Sequence, residues 1–188
     1  MTTRRIAVVT AGLSNPSSTR LLDDRLAEAV RAQLAEREIE VWADVIELRE
    51  HAHAITDNLL TGFARRGLAE AIETVTSADA LIAVTPIFTT SYSGLFKSFL
   101  DILDPDSLRG MPVLLAATGG SPRPSLALEY AMRPLFTYLH ANPVSTSVFA
   151  ASEDWAGGEG ASSLRSRTER AAGELADAVA RRGATVGE

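Results

Sequence analysis

A strand that runs through a short loop directly into a helix is the feature that most constrains the fold of this chain. Residues 80–84 form an apolar run typical of a buried parallel strand, and residues 85–94 form the loop that follows it. The next apolar side chains recur at helical spacing: Leu95, Phe96, Phe99, Leu100 and Leu103. Open α/β sheets bind ligands in loops at the carboxyl ends of their strands. This loop is therefore a candidate binding site, and an ordinary connection rich in small polar residues is the alternative.

Alternation of strand-like and helix-like segments along the whole chain indicates an α/β fold. Strands are predicted at residues 5–10, 39–48, 80–84, 112–117 and 144–149, and helices at 21–34, 68–77, 95–103, 125–140 and 162–182. Residues 49–67 are polar and are predicted to be an irregular loop. Such alternation favours a doubly wound, five-stranded parallel sheet with helices on both faces. We expect the strand order 2-1-3-4-5 and a single domain over residues 1–188.

Composition excludes several functional classes. The chain has 18 basic and 24 acidic residues, a net charge of −6, and so lacks the basic balance of a duplex nucleic-acid binder. It contains no cysteine, which excludes disulfides and thiolate chemistry. His51 and His53 lack a third ligand at a persuasive spacing, so no metal site is predicted. With no signal peptide and no apolar run of about 18 residues, we expect a cytoplasmic protein that does not associate with membranes.

The loop after the first predicted strand is rich in hydrogen-bonding side chains. Residues 11–19 contain no acid, and their hydroxyl or amide side chains include Ser14, Asn15, Ser17, Ser18 and Thr19. Amide groups at a helix start converge on an anion, and hydroxyl groups add donors without repelling it. The glycine patterns of nucleotide-binding loops are missing, because Gly12 stands alone. The loop therefore favours a phosphate monoester, whereas a plain helix N-cap requires only one such residue.

Two further loops are expected to lie beside this one at the same edge of the sheet. Pro86 fixes part of the loop after the third strand, and residues 118–121 place paired glycines after the fourth. Paired glycines let a backbone approach something flat or bulky. In the order 2-1-3-4-5 the three loops adjoin, which suits a phosphate in the first loop and a planar ring over the others. FMN has that shape.

Three motifs of the chain resemble those of a known family. They are Thr-Pro-Ile-Phe-x-x-Ser-Tyr-Ser-Gly-x-x-Lys at residues 85–97, Ala-Thr-Gly-Gly at 117–120 and Leu-Glu-Tyr-Ala-Met-Arg-Pro-Leu at 128–135. They are similar to motifs of the NAD(P)H-dependent FMN reductases, above all the branch that supplies reduced FMN to alkanesulfonate and other two-component monooxygenases. The likeness spans residues 6–149. The first loop departs from it, since family members often have Gly-Ser and an Arg where residues 12–16 read Gly-Leu-Ser-Asn-Pro.

The resemblance implies a flavodoxin-like fold with an FMN site at the strand ends. Phosphate would be held by residues of the first loop: Ser14, Ser17, Ser18 and Thr19. The ribityl chain and the ring would be lined by residues of the second loop: Pro86, Ile87, Phe88, Thr89, Ser91 and Tyr92. The isoalloxazine edge would meet residues of the third loop: Thr118, Gly119 and Gly120. Hydride transfer from nicotinamide to flavin N5 requires no acid or base from the protein, so no catalytic side chain is predicted.

The activity that the resemblance implies is NAD(P)H-dependent reduction of FMN, with release of the reduced flavin to a partner monooxygenase. Two alternatives stay open: a reductase of quinones, azo dyes or chromate that keeps its flavin, and a flavodoxin-like electron carrier. Phe88 and Tyr92 are the aromatic residues of the ligand loops, which contain no acid, and this indicates a more open site than a carrier has. A flavin-free regulatory domain is disfavoured by the hydroxyl-rich first loop.

Pro134 interrupts the apolar helical pattern of residues 125–140. It has no N–H to donate to the carbonyl of Tyr130, so we expect a kink or a wide turn in this helix. The position of Tyr130 resembles one that lies in a π-helical turn where subunits of sulfonate-linked FMN reductases meet. The resemblance therefore implies a homodimer or homotetramer with Tyr130 at an interface.

Overall fold

A largely parallel sheet forms the middle layer of the structure, a computed structural model that describes residues 2–184. Its strands are β1 Thr2–Thr10, β2 Ile39–Glu47, β3 Ala80–Phe88, β4 Ser91–Tyr92, β5 Pro112–Gly119, β6 Asn142–Pro143 and β7 Val148–Ala151. The order across the sheet is β2-β1-β3-β5, and β6 and β7 both pair with the outer edge of β5. These pairs are parallel, whereas β3 and β4 form an antiparallel hairpin. With β6 and β7 taken as the fifth position, the predicted order and the predicted parallel sheet are confirmed.

Of the fifth predicted strand, residues 144–149, only residues 148–149 lie in a strand, because residues 144–147 form an irregular segment between β6 and β7. Side chains from other elements form hydrogen bonds with backbone groups of this segment that a continuous strand would use for pairing. Arg133 donates to the carbonyl oxygen of Val144 (2.9 Å), and Glu174 accepts from the amide and the hydroxyl of Thr146 (2.7 and 2.6 Å). These bonds join positions far apart in the sequence, so the local pattern gives no sign of them. The prediction of one continuous strand is wrong for this reason.

Helices cover both faces of the sheet, as predicted. On one face lie α1 Ser18–Ala35 and α6 Gly158–Ala184, and on the other lie α2 Leu48–Thr61, α3 Arg66–Thr76, α4 Gly94–Asp101 and α5 Arg133–Tyr138. Successive residues of β1 alternate between the two buried clusters, since Ile6 and Val8 belong to the first and Ala7 and Val9 to the second. A parallel sheet that is buried in this way leaves its strand ends as the exposed edge for a ligand.

Residues 49–67, predicted to be an irregular loop, contain most of helix α2 instead. The buried residues of α2 are Leu48 and Ile55, seven positions apart, and the rest of the helix is largely polar. So sparse an apolar face does not stand out as helical periodicity, which explains the wrong prediction. The helix ends at Gly62, whose φ of 76° gives a left-handed cap that glycine favours.

Neither a metal cluster nor a membrane-spanning helix is found within residues 2–184. His51 and His53 lie on α2, and no group of three or more His, Cys, Asp or Glu side chains in that range could hold a metal ion. No helix of the same range is both long and apolar enough to cross a membrane.

The helix around Pro134 is irregular, as the proline predicts. A π-helical turn at Leu128–Met132 precedes α5. The amide of Arg133 donates to the carbonyl of Leu128, five residues back, which is the π-helical pattern. The predicted wide turn is confirmed, and Tyr130 lies in it with 79% of its surface exposed.

Candidate active site

The three predicted ligand loops lie side by side at the carboxyl edge of the sheet. Thr10, at the end of β1, is in register with Val84 of β3, and the amide of Ala11 donates to the carbonyl of Val84 (3.0 Å). Pro86 of β3 is in register with Thr118 of β5. These registers place the starts of the three loops next to one another, as expected for this strand order.

A buried contact joins the first loop region to the third. The hydroxyl groups of Thr19 and Thr118 are 2.9 Å apart, and both residues are buried. Because Thr19 is the second residue of α1, this hydrogen bond fixes the start of that helix against the end of β5. The predicted phosphate-binding segment and the predicted ring-edge segment therefore form one continuous surface.

The first loop ends in a capped helix with free backbone donors. The hydroxyl oxygen of Ser17 caps α1 by accepting from the amide of Arg20 (3.3 Å). A Cβ on Gly12 would lie 2.2 Å from Oγ of Ser17, so a larger residue there would displace the side chain that caps the helix. The amides of Ser18 and Thr19 belong to the first helical turn, where no carbonyl of the helix can reach them. Since Ser18 is exposed, this end of α1 can present donors to an anion.

The outer part of the first loop borders a small polar cavity. The cavity has a volume of about 370 Å³, and its walls include Ser14, Asn15 and Arg20. The Arg20 guanidinium is paired with the carboxylates of Asp24 (3.1 Å) and Glu47 (2.6 Å). Because this arginine is already paired, it is less available to an anion than the amides and hydroxyl groups of the loop.

The second loop contains a short hairpin that the sequence pattern did not predict. Residues 87–88 pair with residues 91–92. The turn consists of Thr89 and Thr90, whose φ angles of 46° and 70° lie in the left-handed region that β-branched residues rarely adopt. A two-residue turn with positive φ angles matches the twist of a hairpin, and backbone strain of this kind is often retained at binding sites. Phe88 is about half exposed beside this turn.

Thr85 fixes the base of the hairpin. Its buried hydroxyl accepts from the amide of Ser93 (3.0 Å) and donates to the carbonyl of Pro86 (2.9 Å). Ser93 in turn caps α4 by accepting from the amide of Phe96 (3.2 Å). The predicted flavin-lining residues 86–92 are therefore held by both β3 and α4 rather than lying in a free loop.

The two glycines of the third loop have different surroundings. A Cβ on Gly119 would lie 2.8 Å from Cζ of Phe149, so packing against this core ring requires glycine there. A Cβ on Gly120 would meet no atom within 4 Å. The sequence pattern indicated a single role for the pair, namely close approach to a ligand. Core packing accounts for Gly119, and the space at Gly120 remains open.

A second cavity adds residues that the sequence analysis did not assign to the ligand site. It has a volume of about 680 Å³, within the range of small-molecule sites, and lies beside the hairpin. Its walls combine hairpin residues with residues around the π-helical turn: Ile87, Thr90, Ser91, Arg123, Leu126 and Tyr130. Leu126 and Tyr130 are 63% and 79% exposed. The sequence signal that could have indicated this wall is Pro134, which interrupts the helical pattern that contains both residues.

The donor set at this edge of the sheet fits a phosphate monoester that carries a flat ring. None of the residues predicted to contact FMN is acidic. Free amides and hydroxyl groups at the start of α1 suit the phosphate, and the partly exposed Ile87 and Phe88 offer an apolar surface to a ring. The open space at Gly120 leaves room for the edge of such a ring. The residues present therefore fit FMN.

Sequence comparisons link the chain to flavin reductases. A family model described as NADPH-dependent FMN reductase matches residues 4–156, a range that contains all three loops. The NADH-dependent FMN reductase SfnF of Pseudomonas putida is 36% identical over 149 residues, which cover 79% of this chain and 78% of that protein. The FMN reductase (NADPH) of Pseudomonas aeruginosa is 33% identical over 151 residues, which cover 80% and 78%.

Solved structures share the fold. An oxidoreductase from Corynebacterium diphtheriae matches with a TM-score of 0.93 at 44% identity and covers 96% of this chain and 99% of its own. The apo form of the NADH:FMN oxidoreductase EmoB matches with a TM-score of 0.77 at 30% identity, over 90% and 88% of the two chains. A flavodoxin, WrbA-like protein from Agrobacterium tumefaciens is 19% identical with a TM-score of 0.59, over 93% and 97% of the chains. The expected flavodoxin-like fold is confirmed.

Proposed function

The chain belongs to the NADPH-dependent FMN reductase family and reduces FMN with NAD(P)H; we propose that FMN binds across the three loops and leaves, once reduced, for a partner monooxygenase. The observation that carries this binding mode is the buried hydrogen bond between Thr19 and Thr118. It joins the helix start that suits a phosphate to the strand end that suits a ring edge. One elongated ligand can therefore contact both.

The phosphate of FMN binds at the start of α1. The amides of Ser18 and Thr19 donate to it, and the hydroxyl groups of Ser14, Ser17 and Ser18 add further donors around it. Support comes from the exposed position of Ser18 and from the Ser17 cap, which leaves these two amides available. The positive end of the α1 dipole adds to the attraction.

The ribityl chain and the ring extend from the phosphate over the second and third loops. Their contacts come from residues of β3 and its hairpin (Pro86, Ile87, Phe88, Thr89, Ser91 and Tyr92) and from the end of β5 (Thr118, Gly119 and Gly120). Two features support this arrangement. The hairpin is held rigidly by Thr85, and the open space at Gly120 admits a planar edge.

The chain contributes binding and orientation rather than acid–base chemistry. FMN, when bound, supplies an N5 atom that accepts hydride from the nicotinamide. The residues of the three loops hold the ring in place for the nicotinamide and fix its distance from the reductant, which is where such a site gains rate. We therefore assign no side chain as a proton donor or acceptor in the reaction.

Release of reduced FMN to a partner follows from the open character of this site. The ligand loops contain two aromatic residues, Phe88 and Tyr92, and no acid, so they do not enclose a flavin as a carrier does. Phe88 is half exposed at the hairpin, which leaves the proposed ring position accessible. A flavin-dependent monooxygenase is the class of partner that consumes free reduced FMN. We also propose a cytoplasmic location, where NAD(P)H is regenerated.

Oxidation of NAD(P)H in the presence of excess free FMN tests the proposed release. NADPH and NADH are each supplied to purified protein under anaerobic conditions, with FMN at about 50 times the protein concentration. We expect many equivalents of FMN to be reduced per protein and to pass through an ultrafiltration membrane. Reduction that stops after one equivalent per protein would support a flavin-retaining reductase or a carrier instead. A parallel series with quinone and azo-dye acceptors distinguishes these two alternatives.

Tyr130 is proposed to lie at an interface between two copies of the chain, in a homodimer or homotetramer. Its ring is exposed and lies in the π-helical turn, on the wall of the 680 Å³ cavity. Replacing Tyr130 by Ala is expected to weaken assembly and to leave the fold of the subunit intact. Tyr138, 74% exposed at the end of α5, provides the matched control. Light scattering that gives the same mass for Tyr130→Ala, Tyr138→Ala and the unaltered protein would contradict the proposal.

A further inference from the structure

Asp23 is a carboxyl group enclosed in the protein without a partner. The residue is fully buried, and neither of its carboxyl oxygens has a hydrogen-bond partner among the described residues. The hydroxyl of Thr10, at the end of β1, is likewise buried and has no hydrogen-bond partner within residues 2–184. It lies close enough to interact with the Asp23 carboxyl, but the two do not meet ordinary hydrogen-bond geometry. Burial of an unpaired carboxylate is costly, whereas the protonated acid can donate to such a hydroxyl.

The charges around Asp23 do not compensate for its burial. Loss of solvent raises the pKa of Asp23 well above its ordinary value, and the carboxylates of Asp24 and Glu47 raise it further. The Thr10 hydroxyl and the Arg20 guanidinium oppose this rise. Arg20, however, makes its hydrogen bonds with Asp24 and Glu47, so it does not form an ion pair with Asp23.

The position of Asp23 brings this buried group close to the proposed phosphate site. Asp23 follows Thr19 by one helical turn on the buried face of α1, where Thr19 contacts the third loop. It lies five residues beyond Ser18, which corresponds to about 7.5 Å along a helix. A negative charge at that distance, inside the protein, is poorly screened and would repel a phosphate dianion bound at the helix start.

We propose that Asp23 is kept as the neutral acid beneath the phosphate loop and is coupled to the flavin phosphate through its proton. The inference rests on the proposed function, because it requires the phosphate to bind at the start of α1. As the neutral acid, Asp23 adds no charge beneath the end of β1, from which the loop departs. When it ionises, a negative charge lies beneath the phosphate site. Linkage then makes bound FMN raise the pKa of Asp23 further, and ionisation of Asp23 weaken FMN binding.

Flavin binding to the apoprotein as a function of pH tests this coupling. Dissociation constants for FMN and for riboflavin, which lacks the phosphate, are measured by fluorescence from pH 5 to pH 10. The proteins compared are the unaltered chain, Asp23→Asn and the matched control Asp24→Asn, which removes a half-exposed carboxylate from the next position. The second ionisation of the FMN phosphate affects all three proteins alike. The ratio of the FMN dissociation constants of the unaltered protein and Asp23→Asn at each pH therefore reports the effect of Asp23 ionisation alone.

The expected result is a loss of FMN affinity in the unaltered protein as the pH rises through the raised pKa of Asp23, at least tenfold relative to riboflavin. This loss should be retained in Asp24→Asn and absent in Asp23→Asn. Identical pH profiles for the unaltered protein and Asp23→Asn would overturn the inference while leaving the proposed function intact. FMN that binds no more tightly than riboflavin at every pH would overturn both, because no phosphate site would then exist at α1.

A measurement on the unaltered protein keeps the inference falsifiable if Asp23→Asn does not fold. Carbon-13 NMR of aspartate-labelled protein distinguishes a protonated carboxyl from a carboxylate. One buried aspartate signal is expected to stay at the protonated position when the pH is above the range in which the other aspartates ionise, and added FMN should extend its protonation to higher pH. Carboxylate positions for every aspartate at pH 6 would overturn the inference.

Discussion

Ser18→Asp is the substitution that separates flavin binding from folding most cleanly. Ser18 is the first residue of α1 and is exposed, so a carboxylate there displaces no packed group. An acid in the first turn interacts favourably with the helix dipole, by about 0.3–1 kcal/mol. The apoprotein should therefore be as stable as the unaltered chain or slightly more stable. Thr19 is a poorer choice, because it is buried and bonded to Thr118.

The same carboxylate should repel FMN strongly. Placed about 4 Å from the phosphate, with an effective dielectric constant near 20, it costs about 4 kcal/mol of binding free energy. FMN affinity should fall by about two to three decades, and riboflavin affinity should change little. Ser18→Asn is the matched control, because asparagine has the shape of aspartate but no charge. Thermal unfolding of both variants checks the fold. Equal losses for FMN and riboflavin, or no loss for either, would refute the placement of the phosphate at α1.

Two further predictions concern the third loop and the contacts around the π-helical turn. Gly120→Val should lower flavin affinity at least tenfold with little change in stability, whereas Gly119→Val should lower stability by about 1–3 kcal/mol through its clash with Phe149. Flavin titration measures the first effect and thermal unfolding the second. Full flavin affinity in Gly120→Val would remove that residue from the site. The hydrogen bond from Arg133 holds the pKa of Glu129 below its usual value. The ionised Glu129 side chain should therefore stabilise the fold at pH values above the ordinary glutamate pKa, and this stabilisation should be lost as the pH falls through the lowered pKa of Glu129. Urea unfolding between pH 3 and pH 6 should therefore show a shallower pH dependence in Glu129→Gln, and an unchanged slope would contradict this assignment.

The fold was predictable because its signals are local. Apolar runs and helical spacing locate the strands and helices, and their alternation dictates a parallel sheet with its loops at one edge. The missing N–H of Pro134 likewise predicts a kink or a wide turn, which the structure shows as a π-helical turn. Helix α2 was missed because its buried residues, Leu48 and Ile55, are too sparse for a periodic signal. Residues 144–147 were wrongly predicted because distant side chains bind their backbone groups.

The site was predictable at the level of loops but not of individual roles. The strand order places the three loops at one edge with the second between the other two, yet nothing local indicates that Thr19 of the first loop region bonds to Thr118 of the third. Asp23 and Asp24 are adjacent in the sequence and equally suited to an early helical turn, but the sheet buries one and leaves the other half exposed. Such differences depend on which face of α1 meets the sheet, and that is decided by tertiary packing.

A crystal structure of the protein with FMN is the most direct test of the account. We predict that the phosphate lies within hydrogen-bonding distance of the amides of Ser18 and Thr19, and that the ring lies along residues 86–92 with its edge at Gly120. A flavin bound elsewhere on the chain, or bound at this edge with its phosphate away from the start of α1, would contradict the central claim.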